Sequence, residues 1–158
     1  MYKINLTVNG KLKKLEIDPR TTLVELLRDT MGLTGTKMGC SCGSCGSCTV
    51  ILDGKAVKSC SVLAVQANGR EVQTVEGLAK DGKLHSLQEA FIKHHGMACG
   101  YCTPGMLMEL KAFLDQNPEP SEQDLIEAIS GHLCRCGTYP KIVEAALEAA
   151  RVIRGKAR

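Results

Sequence analysis

The sequence predicts an α+β fold in which a β-rich half, residues 1–77, precedes a helical half, residues 78–158. Apolar residues alternate along the first segments, Gly-containing turns punctuate them, and from about residue 82 the apolar period becomes helical. The chain has 158 residues, room for one ordinary domain or two small ones, and a hydrophobic content of 44% supplies a core. Aromatics are only 3% and Trp is absent, so that core is aliphatic and rich in Ala and Met.

The elements follow in order. "YKINLTV" puts Ile4, Leu6 and Val8 on one face of a strand, Asn9-Gly10 is a hairpin signal, and "KLEI" returns with Leu15 and Ile17. "TTLVELLRDTMG" reads as a short helix, with Thr22 and Glu25 as its capping box and Gly32 as its stop. "TVILDGKAV" is a second hairpin turning at Asp53-Gly54, and "EVQTVEG" supplies a further strand. The result is a small sheet crossed by one helix. The join falls in "EGLAKDGKL", residues 76–84, with Gly77 and Gly82 as its flexible points. Beyond it, Leu84, Leu87, Ala90 and Phe91 share one helical face. "TPGMLMELKAFLDQNP" opens on Thr-Pro, stops at Asn117-Pro118 and turns Leu107, Leu110 and Leu114 inward. Ser121 and Asp124 cap "SEQDLIEAISG", which ends at Gly131. Pro140 opens "KIVEAALEAARVI", with Val143, Ala146, Leu147, Ala150 and Ile153 on one face. Short helices joined this way form a helical bundle.

A net charge of +3, with no basic run denser than "KLKK", argues against nucleic acid as a partner. "MYKINLTVNG" has no apolar leader, and no stretch approaches the roughly 18 apolar residues of a membrane span. The expectation is a cytoplasmic protein with no membrane span. No P-loop, dinucleotide fingerprint or Ser-His-Asp arrangement is evident.

The cysteines carry the chemistry. Nine of them fall into two groups: Cys40, Cys42, Cys45, Cys48 and Cys60, then Cys99, Cys102, Cys134 and Cys136. A reducing compartment disfavours structural disulfides, which leaves metal binding or thiol redox chemistry. Cys40, Cys45 and Cys48 with the distal Cys60 make C-x4-C-x2-C…C, the plant-type [2Fe–2S] pattern. Two irons need two thiolates each, so one loop supplies three sulfurs and a neighbouring strand the fourth. Gly39, Gly43 and Gly46 let that loop curl and aim backbone N–H groups at sulfur. Cys42 is left over, either as a substitute for Cys40 or Cys45 or, as the spacing favours, as a free thiol. In the second group, C-x2-C at Cys99 and Cys102 and C-x-C at Cys134 and Cys136 each sit just ahead of a predicted helix. Helix N-termini favour thiolates and an anionic cluster. Zinc is the alternative metal for close cysteine pairs.

Together "KMGCSCGSCGSCTV", the distal Cys60, "ACGYCTPGM" and "GHLCRCGTYPKI" closely resemble the iron–sulfur subunit of the molybdenum hydroxylases. This is the xanthine oxidase, aldehyde oxidoreductase and carbon monoxide dehydrogenase family, and the resemblance spans nearly the whole chain. It implies a β-grasp, ferredoxin-like domain followed by a four-helix domain, each with one [2Fe–2S] cluster. It implies that Cys40, Cys45, Cys48 and Cys60 bind the cluster nearer the outside electron partner. Cys99, Cys102, Cys134 and Cys136 would bind the one nearer molybdenum, with Cys136 and Arg135 close to the pterin. The chain would relay electrons without holding molybdenum or flavin. The implied partners are a large subunit with molybdopterin, carrying a cytosine nucleotide, and a medium subunit with FAD, assembled as a dimer of heterotrimers. Three positions depart from the family pattern. Cys42 replaces a polar residue, Ala98 stands where a pterin-holding Gln is common, and "CRCGTYP" replaces "CRCTGY".

Other residues have plainer readings. His94 and His95 form a polar helix end rather than Rieske-type ligands. His132 is expected at the surface, with a bond to sulfur as its alternative. Arg135 either offsets anionic charge or joins a structural ion pair. Tyr101 and Tyr139 shield the second site from water, and Met106 and Met108 fill core. A free-standing two-cluster ferredoxin and a zinc-stabilised binding module are the competing functions.

Overall fold

The computed structural model describes residues 1–156. β1 (Tyr2–Val8) and β2 (Lys11–Ile17) form an antiparallel hairpin. Its two-residue turn, Asn9 at φ 49° and Gly10 at φ 76°, has the left-handed conformation that matches strand twist. The capping box at Thr22 and Glu25 starts α1 (Leu23–Glu25), which runs on as a π-helical turn through Thr30. β3 (Thr49–Leu52) and β4 (Lys55–Lys58) form the second hairpin, and β5 (Glu71–Gln73) completes the sheet. The strand order is β2-β1-β5-β3-β4, with β1 and β5 parallel and the other neighbours antiparallel. α2 (Ser86–Lys93), α3 (Thr103–Gln116), α4 (Glu122–Ile129) and α5 (Tyr139–Lys156) make up the helical half.

Two apolar cores form, one between the sheet and α1, the other among α2–α5. β3 belongs to both. All four of its residues are buried; Val50 and Leu52 point into the sheet core and Ile51 into the helical one. Alternation along a strand makes this possible, because successive side chains leave on opposite faces. α3 packs directly on β3 and β4, so the helical half rests on the sheet.

The join at residues 76–84 is built from hydrogen-bonded turns. Val75–Gly77 is a 3-10 turn in which a Cβ on Gly77 would collide with the Asn9 side chain. Lys80 and Lys83 exchange both backbone hydrogen bonds around Asp81-Gly82. Leu84, expected on the buried face of α2, precedes that helix and is exposed. His85 takes the N-cap position, its Nδ1 accepting from the Leu87 N–H at 3.2 Å, and so ends the helix before Leu84 can join it.

Gly105, in the first turns of α3, lies against the backbone of Gly46 and Ser47; an added Cβ would collide with the Gly46 carbonyl oxygen and come within 3.0 Å of Ser47 Cα. Both neighbours are backbone and have little room to yield. Gly105→Ala should therefore lower apparent stability by about 1–3 kcal/mol. Gly155→Ala, which meets nothing within 4 Å, should be neutral or add about 0.5 kcal/mol. Urea midpoints of the two variants measured side by side check this.

Candidate metal centres

Each half gathers four of the sequence-predicted ligands. In the first, Cys40 and Cys45 lie in the loop ahead of β3, Cys48 is buried at its end, and Cys60 reaches in from the 3-10 turn Ser59–Ser61. The sequence places Cys60 on a strand, whereas it follows β4. The chain turns there because Ser59 Oγ and the Ser59 N–H both donate to the Cys48 carbonyl, at 2.6 and 3.3 Å. The curled loop aims N–H groups at sulfur as its glycines suggest. Cys42 and Cys45 donate to Cys40 Sγ at 3.5 and 3.4 Å, and Gly43 donates to Cys60 Sγ at 3.3 Å. Those donors, Cys42 first and Cys45 next, hold the Cys40 thiol down to about 6. Burial pushes Cys48 up to about 11. Cys42 is exposed and its Sγ lies 3.4 Å from Ser44 Oγ.

In the second half, Cys102 stands at the N-cap of α3 with Cys99 three residues ahead, while Cys134 and Cys136 sit in the loop before α5. Burial, with the Cys134 thiol alongside, pushes Cys102 up to about 12. Burial also acts to raise Cys134, but the Thr138 hydroxyl, 3.2 Å from its Sγ, and the Thr138 N–H outweigh it and hold Cys134 down to about 7. The Tyr101 N–H and then the Cys136 thiol lower Cys99.

The thiols are arranged in twos. Cys40 and Cys45, Cys48 and Cys60, Cys102 and Cys134, and Cys99 and Cys136 are the thiols that act on one another's ionisation, and all nine cysteines are free. Among the described residues no three His, Cys, Asp or Glu side chains converge on one ion-sized point. Two sulfur pairs per site, with N–H groups already aimed at sulfur, fit a two-iron group in which each iron takes two thiolates. Beside Cys102, the buried hydroxyl of Thr103 has no partner among the described residues, a donor left for a sulfur-rich neighbour.

The two groups meet along a seam. The Leu133 N–H donates to the Cys45 carbonyl, the Tyr101 hydroxyl to the Met38 carbonyl, and His132 Nε2 lies against Thr49 Oγ1, each at 2.9 Å. Gly46, at φ 73°, has the His132 ring and the Gly131 carbonyl where its Cβ would be. His132 is therefore buried, at 3% exposure, contrary to its expected surface place. The missing side chain of Gly46 makes the space, and Thr49, not a sulfur, takes the ring nitrogen. Burial, with Lys58 nearby, lowers its pKa to about 4 and keeps it neutral.

The Tyr139 hydroxyl accepts the Cys134 N–H at 2.7 Å and donates to the His132 carbonyl at 3.0 Å, so this residue holds the ligand loop rather than only covering it. His94 ends α2 with its Nε2 2.5 Å from Glu148, away from the thiols, and Arg135 is exposed. Met106 and Met108 are core. Sequence reasoning missed Thr49 and Leu133. Nothing in "CTV" or "HLC" signals a contact across more than eighty residues.

Residues 6–79 match the family model described as a 2Fe-2S iron-sulfur cluster binding domain, and residues 74–147 the one described as a [2Fe-2S] binding domain. The nicotine 6-hydroxylase small subunit of Paenarthrobacter nicotinovorans is 49% identical over 154 residues, covering 98% of this chain and 93% of its own. The quinoline 2-oxidoreductase structure from Pseudomonas putida 86 contains a chain with a TM-score of 0.94 and 45% identity, over 98% of this chain and 96% of that one. The aldehyde oxidoreductase of Desulfovibrio gigas also aligns with a TM-score of 0.94 at 41% identity, over 99% of this chain but only 18% of that longer one.

The thiolate is the reactive form, so a lowered pKa extends reactivity to lower pH. Without metal, Cys40 should alkylate with iodoacetamide at a rate that rises through pH 6. Cys48 and Cys102, held at about 11 and 12, should stay unlabelled at neutral pH. Peptide mass spectrometry across a pH series checks this, and one common profile for all three would contradict it.

Proposed function

The chain belongs to the iron–sulfur subunits of the molybdenum hydroxylases, and on that premise we propose that it relays single electrons from a molybdopterin-bearing large subunit to an FAD-bearing subunit or another acceptor. The observation that carries this reading is two separate groups of paired thiols in one chain, joined across a hydrogen-bonded seam. When bound, a [2Fe–2S] cluster takes up and returns one electron, so two of them divide a two-electron oxidation into single steps.

Cys40, Cys45, Cys48 and Cys60 would hold one cluster through their thiolates, and Cys99, Cys102, Cys134 and Cys136 the other. The N–H groups on Cys40 and Cys60 sulfur stabilise negative charge there, which sets how readily that site accepts an electron. Cys48 and Cys102 are set back from water. Cys99 and Cys136 lie at the surface, as a site that hands electrons across an interface requires. That surface faces the large subunit, where exposed Arg135 would meet the anionic pterin cofactor and Cys136 would lie closest to it. Ala98 offers no hydrogen bond of the kind a Gln gives, so the pterin contact rests on these two residues. The complex assembles as a dimer of heterotrimers in the cytoplasm, where nine free thiols outside any disulfide are chemically at home. None of the helices among the described residues is long and apolar enough to cross a membrane.

Purified without oxygen, the chain should be red-brown and carry about four irons and about four labile sulfides, as two such clusters require. Cys45→Ser should lose half of each while Cys42→Ser loses none. Stoichiometric zinc without sulfide, or loss of iron in Cys42→Ser, would contradict the assignment. The chain alone should turn over no substrate but restore substrate-dependent dye reduction when added back to its large subunit. In that assay Arg135→Glu should slow transfer at unchanged iron content.

A further inference from the structure

Thr49 and His132 join the two sulfur groups by a hydrogen bond between side chains, and its hydrogen can be placed. The Thr49 hydroxyl has a single proton, which it donates to the Gly46 carbonyl at 2.8 Å. His132 Nε2 stands 2.9 Å from the same oxygen, so the oxygen accepts and the ring carries its proton on Nε2. Glu109 Oε2, 3.7 Å from that nitrogen, favours the same tautomer. Nδ1 is then a bare acceptor, fully buried and without a partner among the described residues. An unsatisfied buried acceptor is a standing cost that an apolar side chain would avoid. The ring is kept for what its other nitrogen does.

That nitrogen spans the seam. Thr49 directly follows Cys48, and His132 lies two residues before Cys134. Tyr139 holds the His132 carbonyl and the Cys134 N–H on one hydroxyl, so a shift of His132 is passed to Cys134. The geometry points to His132 as a positioning residue whose Nε2–H, held on Thr49, fixes the separation and orientation of the two cluster sites. This rests on the reading of the chain as a two-cluster relay.

The test is low-temperature electron paramagnetic resonance of the chain with both clusters reduced. Dipolar coupling between two paramagnets falls with the cube of their separation, so it reports the spacing without any turnover. His132→Gln places an amide N–H where Nε2–H stands, His132→Asn places one nearer the backbone where Nδ1 stands, and Thr49→Val removes the acceptor at almost unchanged shape. Wild type and His132→Gln should share one dipolar splitting, while His132→Asn and Thr49→Val lose it at full iron content. Equal splitting in all four proteins would overturn the inference. So would loss of iron in the Asn and Val variants, which would mean that the contact holds the sites themselves and not their spacing. A wild-type spectrum with a single cluster signal would instead overturn the two-cluster reading.

Discussion

Everything about this chain's two sites depends on a close approach of backbone to backbone. Gly46 of the first cysteine loop and Gly105 of α3 meet with no side chain between them. That contact lets the N-terminal turn of α3, with Cys102 at its cap, sit beside the loop that carries Cys40, Cys45 and Cys48. It also opens the space that His132 fills, and the Leu133 N–H reaches the Cys45 carbonyl next to it. A side chain at either glycine would push the halves apart and lengthen each of these contacts. The cores would survive, because Val50, Leu52 and Ile51 still divide β3 between them. What would be lost is the spacing of the sites.

This arrangement suits a carrier of single electrons better than two tethered domains would. The join of the halves is made of hydrogen-bonded turns, and α3 lies on β3 and β4. Electron transfer falls steeply with distance and gains nothing from motion once the stations are close. The exposed Cys99 and Cys136 face outward at one site, while the other site lies across the seam. The same unit occurs in relatives both as a separate small subunit and within a longer chain, as expected of a module whose internal geometry is complete.

Much of this was legible in the residues. The turns at Asn9-Gly10 and Asp53-Gly54 and the caps at Thr22 and Ser121 are local signals, and each of these elements forms where its signal lies. The grouping of the thiols followed from their spacing. The failures share a cause. The period puts Leu84 on a helical face, but the His85 cap excludes it. The sequence puts Cys60 on a strand, but Ser59 bends the chain first. The sequence puts His132 at the surface, and its burial depends on Gly46, far away in sequence. Long-range contacts between loops carry no period and no cap, so sequence reasoning has nothing to hold there.

The central claim is that the two sites exchange electrons within one rigid body. Flash reduction of the two-cluster chain by a fraction of one electron equivalent, with absorbance or resonance followed as the electron redistributes between sites, tests it most directly. The account predicts a first-order redistribution whose rate does not change with protein concentration or with added viscogen. A rate that scales with protein concentration, or that slows in proportion to viscosity, would contradict it.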